Sequence, residues 1–163
     1  MTVDDRSFRK VLGCFASGVT VVTTLTPEGR QPVGVTVSAF SSLSLDPPLV
    51  LFCLGNKTSS LESYRQSGHF AVNILAEGQR DLSIRFAGRS EDKWAGVAWN
   101  AGASGVPLLS GCLANLECSL ENIIEGGDHH IIVGRVQGLT YQEGGAPLLY
   151  FRGAYMNYGP PPA

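Results

Sequence analysis

Apolar and polar positions alternate along several stretches of the chain, and this period of two predicts β-strands. The strand predicted over residues 31–40 carries three valines on one face and Gly34, Thr36 and Ser38 on the other. We expect the valine face to enter the core. A glycine followed by two hydroxyls leaves room for a flat polar molecule close to the backbone. The same pattern also suits the solvent side of an ordinary strand.

Other stretches predict further strands and a few short helices. Residues 4–15 repeat apolar side chains at helical spacing behind two acids, which predicts an amphipathic helix that ends at Ser17-Gly18. Short helices are predicted over 57–67 and 79–86, a loop over 41–48, and a long surface loop with a short strand over 87–107. The other strands are predicted over 19–26, 47–55, 68–75, 112–121, 130–141, 147–151 and 154–158.

Tight turns join most neighbouring strands. Residues 27–30 connect the strands on either side as a hairpin, and residues 125–128 reverse the chain between two long strands. An order dominated by hairpins favours a mainly β fold, an antiparallel barrel with peripheral helices, over a doubly wound parallel sheet. With 163 residues and no internal repeat, we expect a single domain over 1–163 with short flexible ends, about 1–5 and 159–163.

Composition narrows the classes of function. The net charge is −2 and no basic cluster occurs along the sequence, so nucleic acid is not expected as a partner. No apolar run approaches the roughly 20 residues that span a bilayer, and the N-terminus lacks a signal-peptide layout, so we expect a cytoplasmic protein. The four cysteines form no C-x-x-C pair, which favours buried thiols over disulfides or a metal site.

Two further segments carry candidate chemistry. Residues 56–60 follow an apolar strand with hydroxyls and a lysine at a predicted helix start, which suits a phosphate group, although an ordinary helix cap needs the same residues. A ring site one strand away from a phosphate site indicates a nucleotide-like cofactor. The turn 126–130 contains two histidines that a turn does not need, although they can also be solvated turn residues. Arg85 and Lys93 are candidates that equally suit surface charges.

Six motifs in register resemble the short-chain NAD(P)H:flavin oxidoreductase family, the reductase components of two-component flavin-dependent monooxygenases. The motifs occupy residues 15–24, 34–40, 44–50, 70–75, 85–87 and 127–129, and the similarity extends over about 8–155. The resemblance implies the FMN-binding split β-barrel, a homodimer, FMN or FAD as flavin, NADH or NADPH as co-substrate, and an oxygenase partner that receives reduced flavin. No metal is expected, because the sequence itself contains no metal-ligand spacing.

The resemblance also implies site residues. The ring would lie along residues 36–38, with Ser38 near its reactive edge, and the phosphate would lie at residues 57–60. His129 would lie near the nicotinamide, but the adjacent His130 leaves open which histidine has that role. The implied catalytic residues are His129 and Ser38, and the implied cofactor-binding residues are Gly34, Val35, Thr36, Val37, Ser38, Ala39, Cys53, Leu54, Lys57, Thr58, Ser59, Ser60, Arg85, Phe86, Ala87, His129 and Tyr155.

The sequence is therefore compatible with three functions. The first is a reductase that moves a hydride from a reduced nicotinamide to flavin, in which the protein supplies distance, alignment and polarity. The second is a flavin-binding protein of the same fold that stores or senses flavin. The third is a flavin-dependent oxidoreductase that uses another small-molecule donor.

Overall fold

The computed structural model describes residues 3–28, 30–90 and 92–159. The outermost residues of the predicted flexible ends, 1–2 and 160–163, lie outside these ranges. The described chain is mainly β, as predicted. Its helices are α1 (Asp5–Leu12), α2 (Leu61–Ser67) and α3 (Arg80–Ala87), and a 3-10 turn (Glu77–Gln79) precedes α3. Its strands are β1 (Ser17–Gly18), β2 (Thr20–Leu25), β3 (Pro32–Val37), β4 (Phe40–Leu45), β5 (Pro48–Gly55), β6 (His69–Ile74), β7 (Trp99–Ala101), β8 (Pro107–Leu109), β9 (Ala114–Gly126), β10 (His129–Tyr141), β11 (Leu149–Phe151) and β12 (Ala154–Met156).

Seven strands form one antiparallel sheet in the order β3-β2-β6-β9-β10-β5-β4. The sheet curls until side chains from β2 and β3 at one end meet side chains from β5 near the other in a common interior. Within the described residues, the terminal strands β3 and β4 do not pair with each other, so the barrel stays open on one side. This arrangement confirms the predicted antiparallel split barrel.

The barrel interior holds an aromatic cluster. Phe52, Tyr64 and Phe70 meet edge to face, with ring centroids 5.2–6.4 Å apart. Tyr64 is completely buried, and its hydroxyl donates a hydrogen bond of 2.8 Å to the carbonyl of Val22. This bond ties α2 to the inner face of β2, and it satisfies a polar group that burial would otherwise leave unpaired.

A second core lies on the outer face of the same sheet. Phe86 of α3 packs there with Val21, Leu75 and Leu148, and Trp94 lies against it at the edge. The sheet is therefore covered on both faces near β2 and β3. A strand covered on both faces is buried throughout, and all six residues of β2 are.

Three predicted boundaries are wrong. The first helix ends at Leu12, and Ser17-Gly18 is a short strand paired with β11. Residues 41–45, predicted as part of a loop, belong to strand β4, because backbone pairing with β5 outweighs the loop-like serine content. The helix predicted over 57–67 begins at Leu61, because residues 56–60 form turns before it.

Helix α1 is amphipathic as predicted, but none of its residues is buried. Its first turn is capped by Asp4, whose carboxylate accepts a hydrogen bond of 2.9 Å from the amide of Ser7. Its apolar face is open to solvent in the single chain: Phe8 is 53% exposed and Val11 is 69% exposed. None of the helices in the described ranges has the length and apolar character needed to cross a bilayer.

Candidate functional site

A cavity of about 790 Å³, the β3–β5 cavity, opens where β3 ends. Ser38 and Ala39 leave β3 at this point, and both are exposed. The carbonyl of Ala39 accepts a hydrogen bond of 3.0 Å from the amide of Cys53, which holds the segment beside β5. The rest of the wall is largely apolar and is formed by Leu12, Phe15, Ala16, Ser17, Gly18, Val19, Thr20, Phe40, Ser41, Leu51 and Ile74.

His129 lies on the same sheet face as Cys53. Strand β10 pairs with β5 so that His129 is opposite Gly55 and Ile131 is opposite Cys53, and residues two apart on a strand share a face. A β-carbon at Gly55 would lie 3.7 Å from Nε2 of His129 and 3.7 Å from Oγ1 of Thr58. Gly55 therefore leaves an open position between the imidazole and the segment before α2.

Asp128 orients the imidazole of His129. Nδ1 of His129 lies 2.7 Å from Oδ1 of Asp128, so the ring donates through Nδ1 and presents Nε2 on its other side. That hydrogen bond, followed by the charge of His129, holds the pKa of the Asp128 carboxyl below its ordinary value. The two residues sit at a turn in which Gly127 takes a φ of 73°, a conformation that favours glycine.

His130 faces the opposite side of the sheet. It pairs with Leu54 and shares its face with Ile132, and both of these side chains belong to the barrel interior. Its Nδ1 atom is buried and has no hydrogen-bond partner among the described residues. Of the two histidines, His129 alone therefore lies on the Cys53 face.

A second hollow, the α2–α3 cavity, lies beside the segment that leads into α2. It has two adjoining lobes of about 280 and 450 Å³, which share Val35, Thr58, Ser59, Ser90 and Lys93 as walls. Ser60 lines the first lobe. Its hydroxyl is buried without a hydrogen-bond partner in the described chain, and it makes no bond to the helix that it precedes.

Lys93 brings positive charge to both lobes. Its ammonium group donates a hydrogen bond of 3.0 Å to the carbonyl of Phe86, and partial burial lowers its pKa. Arg89 lines the second lobe. Hydroxyls on one wall and cations on the other form a site whose chemistry matches a phosphate group.

The Gly34 and Thr36 face of β3, where a flat molecule is predicted, makes packing contacts in the single chain. Phe86 of α3 covers Gly34, and the hydroxyl of Thr36 donates a hydrogen bond of 2.6 Å to the carbonyl of Ser83. Gly34 also lines the first lobe of the α2–α3 cavity, and the role of this face in flavin binding stays a prediction. Only Ser38, beyond the last residue of β3, stays accessible on the β3–β5 cavity.

Several other predicted residues have structural contacts in the single chain. The side chains of Val37 and Leu54 are buried in the barrel interior, so Leu54 has only backbone to offer a ligand. Arg85 donates a hydrogen bond of 2.6 Å to the carbonyl of Ala95, and the hydroxyl of Tyr155 lies 2.8 Å from Oγ of Ser83. Lys57 is exposed and lines neither cavity, whereas Ala87 lines the second lobe.

Comparison with known proteins identifies the family. The model of the flavin reductase like domain matches residues 12–159. The chain belongs to this family. The family predicted from the six motifs is confirmed, and with it the prediction of a flavin oxidoreductase that uses a nicotinamide co-substrate.

Curated relatives carry reductase names. The chain is 44% identical over 158 residues to the flavin-dependent monooxygenase reductase subunit HsaB of Rhodococcus jostii, covering 97% of this chain and 80% of that protein. It is 43% identical over 154 residues to the FMN reductase (NADH) SmoA of Agrobacterium fabrum, covering 93% and 85%.

Solved structures of the family have the same fold. Nitrilotriacetate monooxygenase component B from Mycobacterium thermoresistibile superposes with a TM-score of 0.92 at 42% identity, covering 98% of this chain and 91% of that one. The NADH:FAD oxidoreductase SgcE6 of Streptomyces globisporus, solved in complex with NAD and FAD fragments, gives a TM-score of 0.91 at 38% identity and covers 98% of each chain.

Within this flavin reductase fold, sequence reasoning missed part of the α2–α3 cavity. Ser90 and Arg89 lie in a stretch predicted only as a long surface loop, and Lys93 was equally consistent with a surface charge. Their proximity to Thr58 depends on how the chain after α3 packs against the segment before α2, which no spacing along the sequence encodes. The one available signal was the presence of three cations within residues 85–93, at and just after the end of the helix predicted over 79–86.

Proposed function

We propose that this protein transfers a hydride from NADH or NADPH to FMN or FAD and supplies the reduced flavin to a separate oxygenase. The names of its relatives support this proposal, since they include reductase subunits and components of flavin-dependent monooxygenases. The geometry supports it through two cavities of different chemistry. One is mainly apolar and includes Cys53, which shares a sheet face with His129, and the other is lined by hydroxyls and cations.

The observation that carries the proposal is the unpaired hydroxyl of Ser60. A buried polar group without a partner costs about 1–3 kcal/mol, so such groups are rare in folded proteins. In this fold the Ser60 hydroxyl lies in the α2–α3 cavity that Lys93 also lines. A flavin phosphate would accept a hydrogen bond from Ser60 and neutralise Lys93. The residues present therefore fit a phosphorylated flavin.

The ring end of the flavin fits the β3–β5 cavity. Its apolar wall, which includes Cys53 and Leu51, would exclude water from the reacting faces. Backbone amides and the Ser38 hydroxyl at the end of β3 would stabilise the negative charge that arrives with a hydride. The flavin itself supplies the electron-accepting chemistry.

His129 orients the nicotinamide in this proposal. With Nδ1 held by Asp128, the ring presents Nε2 at a fixed angle beside Gly55 and so can bind the carboxamide of the co-substrate. Hydride transfer removes no proton, so His129 acts by alignment and not as an obligatory base.

A single spectrophotometric assay tests the proposal. Purified protein is mixed under air with NADH or NADPH and with FMN, FAD or riboflavin, and the loss of nicotinamide absorbance is followed. Steady oxidation that depends on added flavin supports the reductase. Tight yellow colour without turnover would indicate flavin storage or sensing instead, and flavin reduction only by another donor would indicate a different oxidoreductase.

Three finer predictions belong to this proposal. A homodimer is supported by the uncovered apolar face of α1. The single domain over 1–163 is supported by the family match over residues 12–159. A cytoplasmic location stays a prediction, in line with cysteines that are free thiols in the described chain.

A further inference from the structure

A third cavity, of about 590 Å³, lies outside the two described above. Four cationic side chains line it: Arg6, Arg9 and Lys10 from α1, and Arg152 from the turn between β11 and β12. Gly13, Cys14 and Gly153 complete the wall. We call it the basic cavity.

Local structure places these four charges together. Residues 6, 9 and 10 are three and four apart, so they share one face of α1, opposite the apolar face that contains Phe8 and Val11. Arg152 comes from a point far along the chain. Its amide donates a hydrogen bond of 2.9 Å to the carbonyl of Gly13, and its guanidinium lies 3.7 Å from Sγ of Cys14.

Arginine occupies a strained position in this turn. Arg152 and Gly153 are the two central residues, with φ of 49° and 81°, a geometry that Asn-Gly or Gly-Gly adopts more easily. An arginine in this conformation costs on the order of 1 kcal/mol. Turn formation alone therefore does not explain the arginine, and strained residues of this kind cluster at ligand sites.

The basic cavity is next to the nicotinamide end of the proposed active site. Residues 12–15 separate the two: Leu12 and Phe15 line the β3–β5 cavity, and Gly13 and Cys14 line the basic cavity. Arg9 is also near enough to Asp128 that its charge adds to the larger effect of His129 in lowering the pKa of that carboxyl. Asp128 is thus an acidic group close to the Arg9 side of the basic cavity.

We propose that the basic cavity binds a phosphate group of the nicotinamide dinucleotide. The group is either the 2′-phosphate that distinguishes NADPH from NADH or the pyrophosphate that both share. A guanidinium pairs with a phosphate through two parallel hydrogen bonds, and the neighbouring cations add attraction without a need for exact geometry. This inference rests on the proposed function, because it assumes that His129 holds the nicotinamide end of the same molecule.

Two variants test the proposal in the full chain. Arg152→Asn removes the charge and keeps a residue that tolerates the left-handed turn, and Arg6→Gln removes a charge from the exposed face of α1. Arg65→Gln on α2 is the matched control, because Arg65 is exposed and lines none of the three cavities. The KM values for NADH and NADPH are measured at saturating flavin.

We expect Arg152→Asn to raise the KM for the relevant nucleotide about tenfold, equivalent to about 1.4 kcal/mol, with kcat and flavin affinity unchanged. If the KM rises for NADPH alone, the basic cavity binds the 2′-phosphate. If the KM rises equally for both nucleotides, the cavity binds the pyrophosphate. Unchanged KM values in both cavity variants, or a rise as large in Arg65→Gln, would overturn the proposal.

Alkylation of Cys14 gives a readout that does not depend on turnover. We expect 2′,5′-ADP or ADP to slow iodoacetamide modification of Cys14 in the wild type and to lose this effect in Arg152→Asn. If neither nucleotide protects Cys14, the proposal is wrong. If protection is seen but the wild type oxidises no reduced nicotinamide, the cavity binds the nucleotide while the proposed reductase function fails.

Discussion

Phe86 of α3 occupies the space directly above Gly34 of β3. A β-carbon built on Gly34 would lie 2.7 Å from Cε1 of Phe86 and 2.8 Å from its Cδ1, and the Phe86 side chain is completely buried. The absence of a side chain at Gly34 therefore allows α3 to pack closely on the outer face of the barrel. In the single chain, this glycine therefore has a packing role in the second core.

Gly34→Ala should destabilise the fold. A methyl group there would push Phe86 out of its place between Gly34 and Trp94, and overpacking of this kind costs about 1–3 kcal/mol. The free energy of unfolding in urea measures the loss. Gly78→Ala is the control, because a β-carbon at Gly78 meets nothing within 4 Å. Wild-type stability combined with weaker flavin binding would instead indicate that Gly34 contacts the flavin.

Ser60→Ala should weaken the binding of phosphorylated flavins specifically. The variant removes a buried hydroxyl that has no partner in the described chain, so we expect the stability of the ligand-free protein to stay the same or rise slightly. The Kd for FMN should rise roughly tenfold, equivalent to about 1.4 kcal/mol. Riboflavin, which lacks the phosphate, is the internal control and should bind equally to both proteins. If Ser60→Ala raised the Kd for riboflavin as much as the Kd for FMN, Ser60 would act on the ring and not on the phosphate.

His129→Ala should impair use of the nicotinamide more than flavin binding. Loss of the aligned imidazole should lower kcat/KM for NADH or NADPH roughly tenfold to a hundredfold, with a raised KM and a nearly unchanged flavin Kd. Asp128→Asn should have a smaller effect, because the amide oxygen can still accept the hydrogen bond from Nδ1. His69→Ala is the control, because His69 lines neither the β3–β5 cavity nor the α2–α3 cavity. Equal losses of flavin affinity and turnover would argue that His129 is purely structural.

The cysteines should differ in reactivity and in their effect on stability at high pH. Burial raises the pKa of Cys112 to about 11 and that of Cys118 to about 12, from an ordinary value of 9.0. A raised pKa means that the folded state favours the neutral thiol. The contribution of these neutral thiols to the free energy of unfolding is fully present below about pH 9, and it is lost as the pH rises from about 9 to about 12.

Thiol titration at pH 8 checks this difference. We expect the exposed Cys14 to react first and the half-buried Cys53 more slowly, whereas Cys112 and Cys118 react only on unfolding. Because Cys53 lines the β3–β5 cavity, FMN should slow its modification and leave that of Cys14 unchanged. If FMN slowed the labelling of Cys14 and not that of Cys53, the assignment of flavin to the β3–β5 cavity and of nucleotide to the basic cavity would be wrong.

The sequence was sufficient to predict the fold class and the family, because both depend on local patterns. The alternation of β3, the hairpin between β9 and β10 and the glycine turn before His129 are each contained within a few residues. Register then decides a point that the sequence left open: pairing of β10 with β5 places His129 beside Gly55 and turns His130 to the interior.

What the sequence could not predict depends on distant packing. The polar face of β3 suggested a ligand site, but whether helix or solvent covers such a face depends on where α3 packs. Strand β4 was not predicted, because its backbone pairing with β5 forms without the β-branched side chains that usually indicate a strand. The basic cavity combines α1 with Arg152, residues at opposite ends of the chain.

The apolar face of α1 should be a homodimer interface. Phe8 and Val11 are 53% and 69% exposed, and Leu45, on the edge strand β4, is 94% exposed. Apolar side chains left open on a helix and on a sheet edge indicate an interaction surface, and a second copy of the chain is the partner proposed above. The double variant Phe8→Asp with Val11→Asp should therefore sediment as a monomer, because two carboxylates would be desolvated in the interface. Arg6→Gln, on the opposite face of the same helix, should keep the mass of a dimer in analytical ultracentrifugation, and a dimeric double variant would show that the interface lies elsewhere.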